Sequence, residues 1–407
     1  MQRIVVVGAG IGGLTAALAL TRAGVRCVVL ERGATLDRTG GGIQIPPAAS
    51  AVLHRLGMGG PAALGPVALG AGAPVAAWPD RFGLGGAIAL GAGALDRVGL
   101  DRVGLDRVGL GGAVEPGARE LRRWSDNSVI SRTALQGPAP HYTLRRTALC
   151  RALLAAAGPA CVLFGQRVVG IVDHGDGVVV RTGDGTRFTA DAVVGADGLR
   201  SSVRAQLSTV PLRYSGHAVY RAVVPAARAG RLAPMDVVVW LGPGRHCVAY
   251  PIDGGRSINI VATVPAARPP RAAREVVTGD VLAAYEGWHP AVRGLLALAG
   301  PFDHHGLFDR EDLPTWHRGR VVLLGDAAHP MLPFAAQGAA QAIEDAAALA
   351  AAVHRPDAFA HYEAVRRPAV ARAVALSRAG ATDHHLPDGP AQRRRDDLLR
   401  RTEAAIR

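Results

Sequence analysis

Apolar positions along the chain fall into three patterns, each predicting a different kind of element. In the first, short β-branched runs stop at glycine. "RIVVVGAG" from Arg3 and "VRCVVLE" from Val25 enclose "IGGLTAALALTRAG", so strand, helix and second strand follow one another as a βαβ unit. "DAVVGADG" from Asp191 and "RVVLLGDAAHP" from Arg320 are further runs of this kind, predicted to join the first two in a parallel sheet. The second pattern is strict alternation. "MDVVVWLGPGRHCVAYPID" and "SINIVATVP", within the stretches 120–143 and 209–264, predict a mostly antiparallel sheet. The third is helical: an Ala-rich run "GAAQAIEDAAALAAAV" starts at about Gly338, and from about Pro356 to Arg407 the pattern predicts helices, with "RRRDDLLRRTEAAIR" as a charged surface helix. The fold class is therefore α/β with a second, antiparallel layer.

The stretch 60–115 fits none of these. It is Gly- and Ala-rich, has few core-sized residues, and carries Leu-Asp-Arg-Val-Gly three times in succession from Leu95 to Gly109. Repeats of five residues are too short for a solenoid. The segment reads as an insertion or a damaged reading frame, expected to pack poorly.

Composition narrows the function. With 407 residues, 49% of them hydrophobic, the chain is long enough for two or three packed units. The formal charge of +13 suggests nucleic acid, but all of the cationic residues are Arg, and they are scattered without aromatic interleaving. That is the mark of a GC-rich coding bias, and no nucleic-acid partner is expected. Cys27, Cys150, Cys161 and Cys247 lack metal-ligand spacing and suit a reducing cytoplasm. No apolar run approaches about 18 residues free of charges or breakers, so no membrane association is expected. The doublets His304-His305 and His384-His385 lack carboxylates at ligand spacing, so no metal site is expected either.

Candidate chemistry begins at the first glycine turn. Gly8, Gly10 and Gly13 fit G-x-G-x-x-G: a tight turn, a close approach to pyrophosphate, and close packing of helix on strand. Glu31, about 20 residues beyond Gly10 at the end of the second strand, is placed to accept hydrogen bonds from a ribose. The unit alone does not separate FAD from NAD. Asp197 and Asp326 lie just past the ends of further strands, at the sheet edge where ligands gather. Ser201 and Ser202 occupy capping positions for an expected helix. Past Pro330 and Pro333, the free N–H groups of the helix at Gly338 should face whatever Asp326 holds.

Together, "GAGIGG" with Glu31, "GADGLRSSVR" and "GDAAHPMLPFAAQGAAQAIEDA" resemble the FAD-dependent aromatic hydroxylases that share the p-hydroxybenzoate hydroxylase fold. "GGGIQIPPAAS" and "YSGHAVYRAVVP" are most similar to the salicylate hydroxylase and 3-hydroxybenzoate 6-hydroxylase types. The resemblance implies a Rossmann-like FAD-binding domain assembled from residues 1–59, 144–208 and 305–355. It implies a substrate-covering sheet from 116–143 and 209–304, and carboxyl-terminal helices from 356–407. The implied reaction uses NADH or NADPH as a transient reductant and O2, through a flavin C4a-hydroperoxide, to hydroxylate a small aromatic substrate. A monomer or homodimer is expected.

On this resemblance Gly8, Gly10, Ile11, Gly12, Gly13, Glu31 and Arg32 bind the ADP part. Arg146 contacts the flavin side, Asp197, Gly325 and Asp326 follow the pyrophosphate and ribityl chain, and Pro333, Gly338 and Ala339 lie at the flavin ring. His217 matches a histidine that serves the phenol in the 3-hydroxybenzoate type, and the alternative is a histidine merely lining the sheet. Arg221 is expected to support the sheet or the flavin, and His329 to be structural. Departures are the absence of a carboxylate in Arg146-Thr147-Ala148-Leu149 and Ala48 in place of an Asn. The other readings are an oxidase, epoxidase or antibiotic-inactivating oxygenase on the same fold, or a flavin-binding protein whose turnover the insertion has impaired. The missing Trp-x-Trp-x-Ile-Pro disfavours a halogenase.

Overall fold

The computed structural model describes residues 1–36, 40–59, 109–270 and 274–406. Most of the expected insertion, 60–108, lies outside the described residues.

The β-branched runs form one six-stranded sheet in the order His317–Arg318, Val321–Leu323, Ala192–Gly195, Arg3–Val7, Arg26–Glu31, Val162–Phe164. All neighbours are parallel except the first pair. Helix Ile11–Arg22 covers this sheet with Leu14, Leu18 and Leu20 buried, and helix Gly338–Ala352 packs against it. Register positions the chemistry. Val7 pairs with both Leu30 and Gly195, and Gly195 pairs with Leu323. The strands therefore end side by side, and the turns at Gly8, Ala196 and Gly325 leave from one edge.

The alternating segments build an eight-stranded sheet in the order Arg274–Val276, Phe302–Asp309, Arg213–Pro225, Ser257–Pro265, Arg245–Ile252, Val237–Gly242, Ala118–Arg123, Val129–Ala134. It is antiparallel except where Val237–Gly242 runs parallel to Ala118–Arg123. One face is closed by helices Thr278–Ala284 and Pro290–Leu298, which bury Val281, Tyr285, Trp288, Leu295 and Phe302. The other face, with His217, Val219 and Arg221 at alternate positions of one strand, turns toward the six-stranded sheet. The layers approach at Gly41 and Gly42, where an added Cβ would stand 2.7 Å from the Asn259 Oδ1 and 2.7 Å from the Tyr250 ring. Gly42 N–H also donates to Asn259 Oδ1 at 2.6 Å.

The helix expected to start at Ser201 is only a 3-10 turn, Arg204–Gln206. Asp197 accepts from Ser202 N–H, Val203 N–H and both serine hydroxyls, so the segment is held as a turn and not propagated as a helix. At the carboxyl end, helices Ala358–Asp383 and Pro390–Ile406 pack back across both layers. All four cysteines are buried and free. Among the described residues no helix is long and apolar enough to cross a membrane.

Candidate active site

Between the layers lies a cleft of about 440 Å³. Its floor is the strand edge: Gly10, Ile11, Gly12, Ala196, Leu324, Gly325 and Asp326. Arg146, Pro333, Gly338 and Ala339 form its flank, and Arg221, His246, Val261 and Thr263 belong to the roof.

Whether a dinucleotide fits is decided at the glycines. Gly8 has φ +103°, and a Cβ there would lie 2.6 Å from the Ala196 carbonyl oxygen. An added Cβ at Gly10 meets nothing within 4 Å, so its backbone is open to a ligand. Glu31 accepts from Ala9 N–H at 2.8 Å and Gly33 N–H at 2.7 Å, which fixes the carboxylate while leaving each oxygen a second lone pair. Helix Gly338–Ala352 has no side-chain cap, so its amino terminus offers unpaired N–H groups at the cleft. These features fit a flavin dinucleotide.

Asp326 is exposed where it opens on the cleft, although protein surrounds it closely on its other sides. Removal from bulk water raises its pKa above the ordinary 3.8, against the opposing fields of His329 and Arg146. A polyol chain is a suitable partner, because its hydroxyls supply the hydrogen bonds that a carboxylate in such a setting lacks. Asp197 differs: it is absent from the cleft lining and is taken up by the 201–203 turn. Arg32 is also absent from the lining.

Two sets of residues that the sequence did not reveal hold the Asp326 turn. Arg204, 1% exposed, donates through Nη1 to the carbonyls of Ala327 and Ala328. Asp345 is fully buried and accepts from Gly325 N–H at 3.0 Å, pairs with His329 Nε2 at 2.6 Å, and receives Arg366 Nε at 2.8 Å. His329 is thus structural, as its sequence context suggested. Asp345→Ala would leave buried Arg366 with Glu344, at 2.9 Å, as its one remaining carboxylate among the described residues, and would deprive both His329 and the Gly325 amide of their shared acceptor. The expected cost is about 3–5 kcal/mol, read as a lower urea midpoint, together with weaker flavin retention. An unchanged midpoint would remove this network from the account.

On the roof, Arg221 lines the cleft, and its Nε has no hydrogen-bond partner among the described residues. Burial lowers its pKa, which marks a cation short of an anionic partner. His217 is not among the lining residues. Its Nδ1 lies 3.2 Å from the Ser215 carbonyl, and its ring is 4.6 Å from that of His385. A second histidine, His246, is among the lining residues and faces inward from the adjoining region of the sheet. Alternation in "RHCVAY" places His246, Val248 and Tyr250 on one face, and that signal could have revealed it.

Comparison with known proteins follows the same outline. The sequence profile of a family described as FAD binding domain matches residues 1–377. A 3-amino-4-hydroxybenzoate 2-monooxygenase of Streptomyces platensis is 37% identical over 97% of this chain and 91% of its own length. A 3-hydroxybenzoate 6-hydroxylase of Klebsiella oxytoca is 32% identical over 95% of this chain and 89% of its own. Among solved structures, Klebsiella pneumoniae HpxO complexed with FAD and uric acid superposes with a TM-score of 0.76 at 25% identity, covering 98% of this chain and 93% of that one.

Proposed function

Because the chain belongs to the FAD-binding-domain family and is an FAD-dependent aromatic monooxygenase, we propose that it hydroxylates a small benzoate bearing a ring hydroxyl, with NADH or NADPH as transient reductant and dioxygen as oxygen donor. Bound FAD supplies the redox chemistry, accepting hydride and activating dioxygen. The protein's residues bind, orient and seal. The turn from Gly8 to Gly13 and Glu31 hold the ADP part. Asp326 accepts the ribityl hydroxyls, and Arg146 neutralises charge at the flavin side. The free N–H groups of Gly338 and Ala339, with Pro333 beside them in the lining, would favour negative charge on a flavin ring held there. Asp197 serves indirectly, by fixing the turn beside Gly198. The roof strands exclude water, and this protects an oxygen-transferring site from wasteful release of hydrogen peroxide.

The observation that carries the substrate class is Arg221, a guanidinium in the cleft whose Nε lacks a partner among the described residues. Nε itself is sealed from solvent, so a benzoate carboxylate in the cleft would meet this guanidinium through its Nη groups. Hydroxybenzoate substrates in the names of the relatives support the same class. His217 remains the candidate base. A carbonyl can only accept, so with Nδ1–H donating to Ser215, Nε2 is its proton-accepting nitrogen.

The reading is tested by NADH and NADPH oxidation with a panel of hydroxybenzoates under labelled dioxygen. Substrate-stimulated oxidation with one labelled oxygen in the product is expected. Peroxide alone for every benzoate would defeat the substrate assignment. Arg221→Met should raise the KM of the carboxylate substrate by roughly 10- to 100-fold, the loss of one charged hydrogen-bonding partner. A matching carboxamide should lose much less, and equal losses for the two would exclude a carboxylate at Arg221.

A further inference from the structure

The roof of the cleft holds a pair of histidines that the assignments above leave unused. His246 and Thr263, on neighbouring strands and in register, both line the cleft. Behind His246 stands His385, from the segment following helix Ala358–Asp383, and the His246 Nδ1 to His385 Nε2 distance is 2.8 Å. The two rings are only 4% and 8% exposed, so the bond is sheltered from water. Backbone contacts fix both partners. Tyr285 donates to the carbonyls of His246 and Thr263, and Gly244 N–H donates to the His385 carbonyl at 2.9 Å. The Phe334 ring packs edge-on against each imidazole.

One hydrogen lies between the two rings, and its position decides what His246 shows to the cleft. If His246 Nδ1 donated it, neutral His385 would carry its other hydrogen on Nδ1, which is buried and has no hydrogen-bond partner among the described residues. A buried N–H without an acceptor is the costlier arrangement. If His385 Nε2 donates, only a bare nitrogen is left there, and His246 carries its hydrogen on Nε2. That N–H has one neighbour, Thr263 Oγ1, at a long 3.4 Å. No other hydrogen bond to this nitrogen is made among the described residues.

The geometry points to His246 and Thr263 as the residues that recognise the ring hydroxyl of the substrate, with His385 as a positioning residue that holds the His246 N–H toward it. A hydroxyl or phenolate oxygen accepts from Nε2–H and sits within reach of the threonine hydroxyl. An aromatic amino group is a poor acceptor, so the pair selects oxygen over nitrogen at that ring position. The inference rests on the cleft being the benzoate site, and it makes the carboxyl-terminal segment part of the specificity machinery.

The test is equilibrium binding to the FAD-loaded protein, followed by flavin absorbance. The probes are 3-amino-4-hydroxybenzoate, 3,4-diaminobenzoate and 3-aminobenzoate, which present hydroxyl, amino and hydrogen at one position. Wild type should prefer the hydroxyl compound by about 100-fold, as sites built around a buried hydrogen bond do. His246→Leu should reduce that preference to about threefold, and His246→Gln, which keeps an N–H donor, should restore part of it. His385→Leu should lower the preference with flavin content and melting temperature retained. Undiminished selectivity in His246→Leu, with the wild type binding well, would overturn the hydroxyl-reading role alone. Failure of the wild type to bind or oxygenate any benzoate would overturn it together with the substrate class.

Discussion

Lowering the pH from 6.5 to about 4 is expected to unfold the protein through its buried histidines. Desolvation, aided by His384, His385 and His217, holds His246 well below 6.5. Burial chiefly lowers His384 to about 4, with Arg119 and Arg395 adding to it, and lowers His385 to about 3, with His217 and His384 adding. His141, mainly through burial and then Arg119, falls to about 4. In the unfolded chain each takes up a proton near 6.5, while the fold keeps each neutral, so the unfolded state binds more protons below that pH. Stability therefore falls with acidification, by about 1.4 kcal/mol per pH unit for each histidine. Across the window the sum is on the order of 10 kcal/mol, comparable with the whole stability of a typical domain. The depressed pKa of Asp345 acts in the same direction only lower down, below its ordinary 3.8. Urea midpoints at pH 7.5, 6.5, 5.5 and 4.5 should decline steadily. The double variant His246→Leu, His385→Leu should show a shallower decline, because replacing both partners with apolar groups leaves no imidazole there to titrate. A flat profile in wild type down to pH 5 would mean that the cluster is protonated within the fold.

What the sequence revealed and what it concealed separate along a physical line. The βαβ unit, the strand-end carboxylates and the alternating roof were legible because each depends on residues within about 30 positions of one another, where periodicity and turn chemistry act. Asp326 could be placed at the cleft because a strand end predicts the edge on which its next residue stands. The 201–206 turn departs from expectation for a local reason: serines in capping positions signal a helix, but Asp197 engages both of them and the chain stops at one turn. His246 and His385 are 139 residues apart, and nothing in either neighbourhood announces the other. The His384-His385 doublet carries no local sign of its contact with the roof, which depends on the course of the long helix Ala358–Asp383. Arg204 shows the same limit. A cation expected at a surface is buried because two carbonyls of the Asp326 turn, more than 120 residues away, receive it.

Two fingerprint glycines should respond to alanine in opposite ways. At Gly13 an added Cβ would lie 1.9 Å from the Gly8 carbonyl oxygen and 3.3 Å from Ala196 Cβ. The nearer obstacle is backbone in the same turn, so helix Ile11–Arg22 would have to leave its strand, and the strand-end register that assembles the cleft would be lost with it. Gly13→Ala should be recovered in inclusion bodies, or melt more than about 10 °C below wild type, with or without flavin. Gly10 has φ −78° and open space where the Cβ would go. Alanine there is compatible with the backbone and reduces chain entropy in the unfolded state, so the flavin-free Gly10→Ala protein should melt within about 3 °C of flavin-free wild type. The methyl group would nevertheless stand in the cleft where the pyrophosphate has to approach, an overpacking cost of about 1–3 kcal/mol or roughly 10- to 100-fold in FAD affinity. Melting scans of the stripped proteins and flavin titration of each separate the two roles. If Gly10→Ala unfolded as readily as Gly13→Ala, the space above Gly10 would not be open. If it bound FAD as tightly as wild type, the pyrophosphate would have to lie elsewhere along the strand edge.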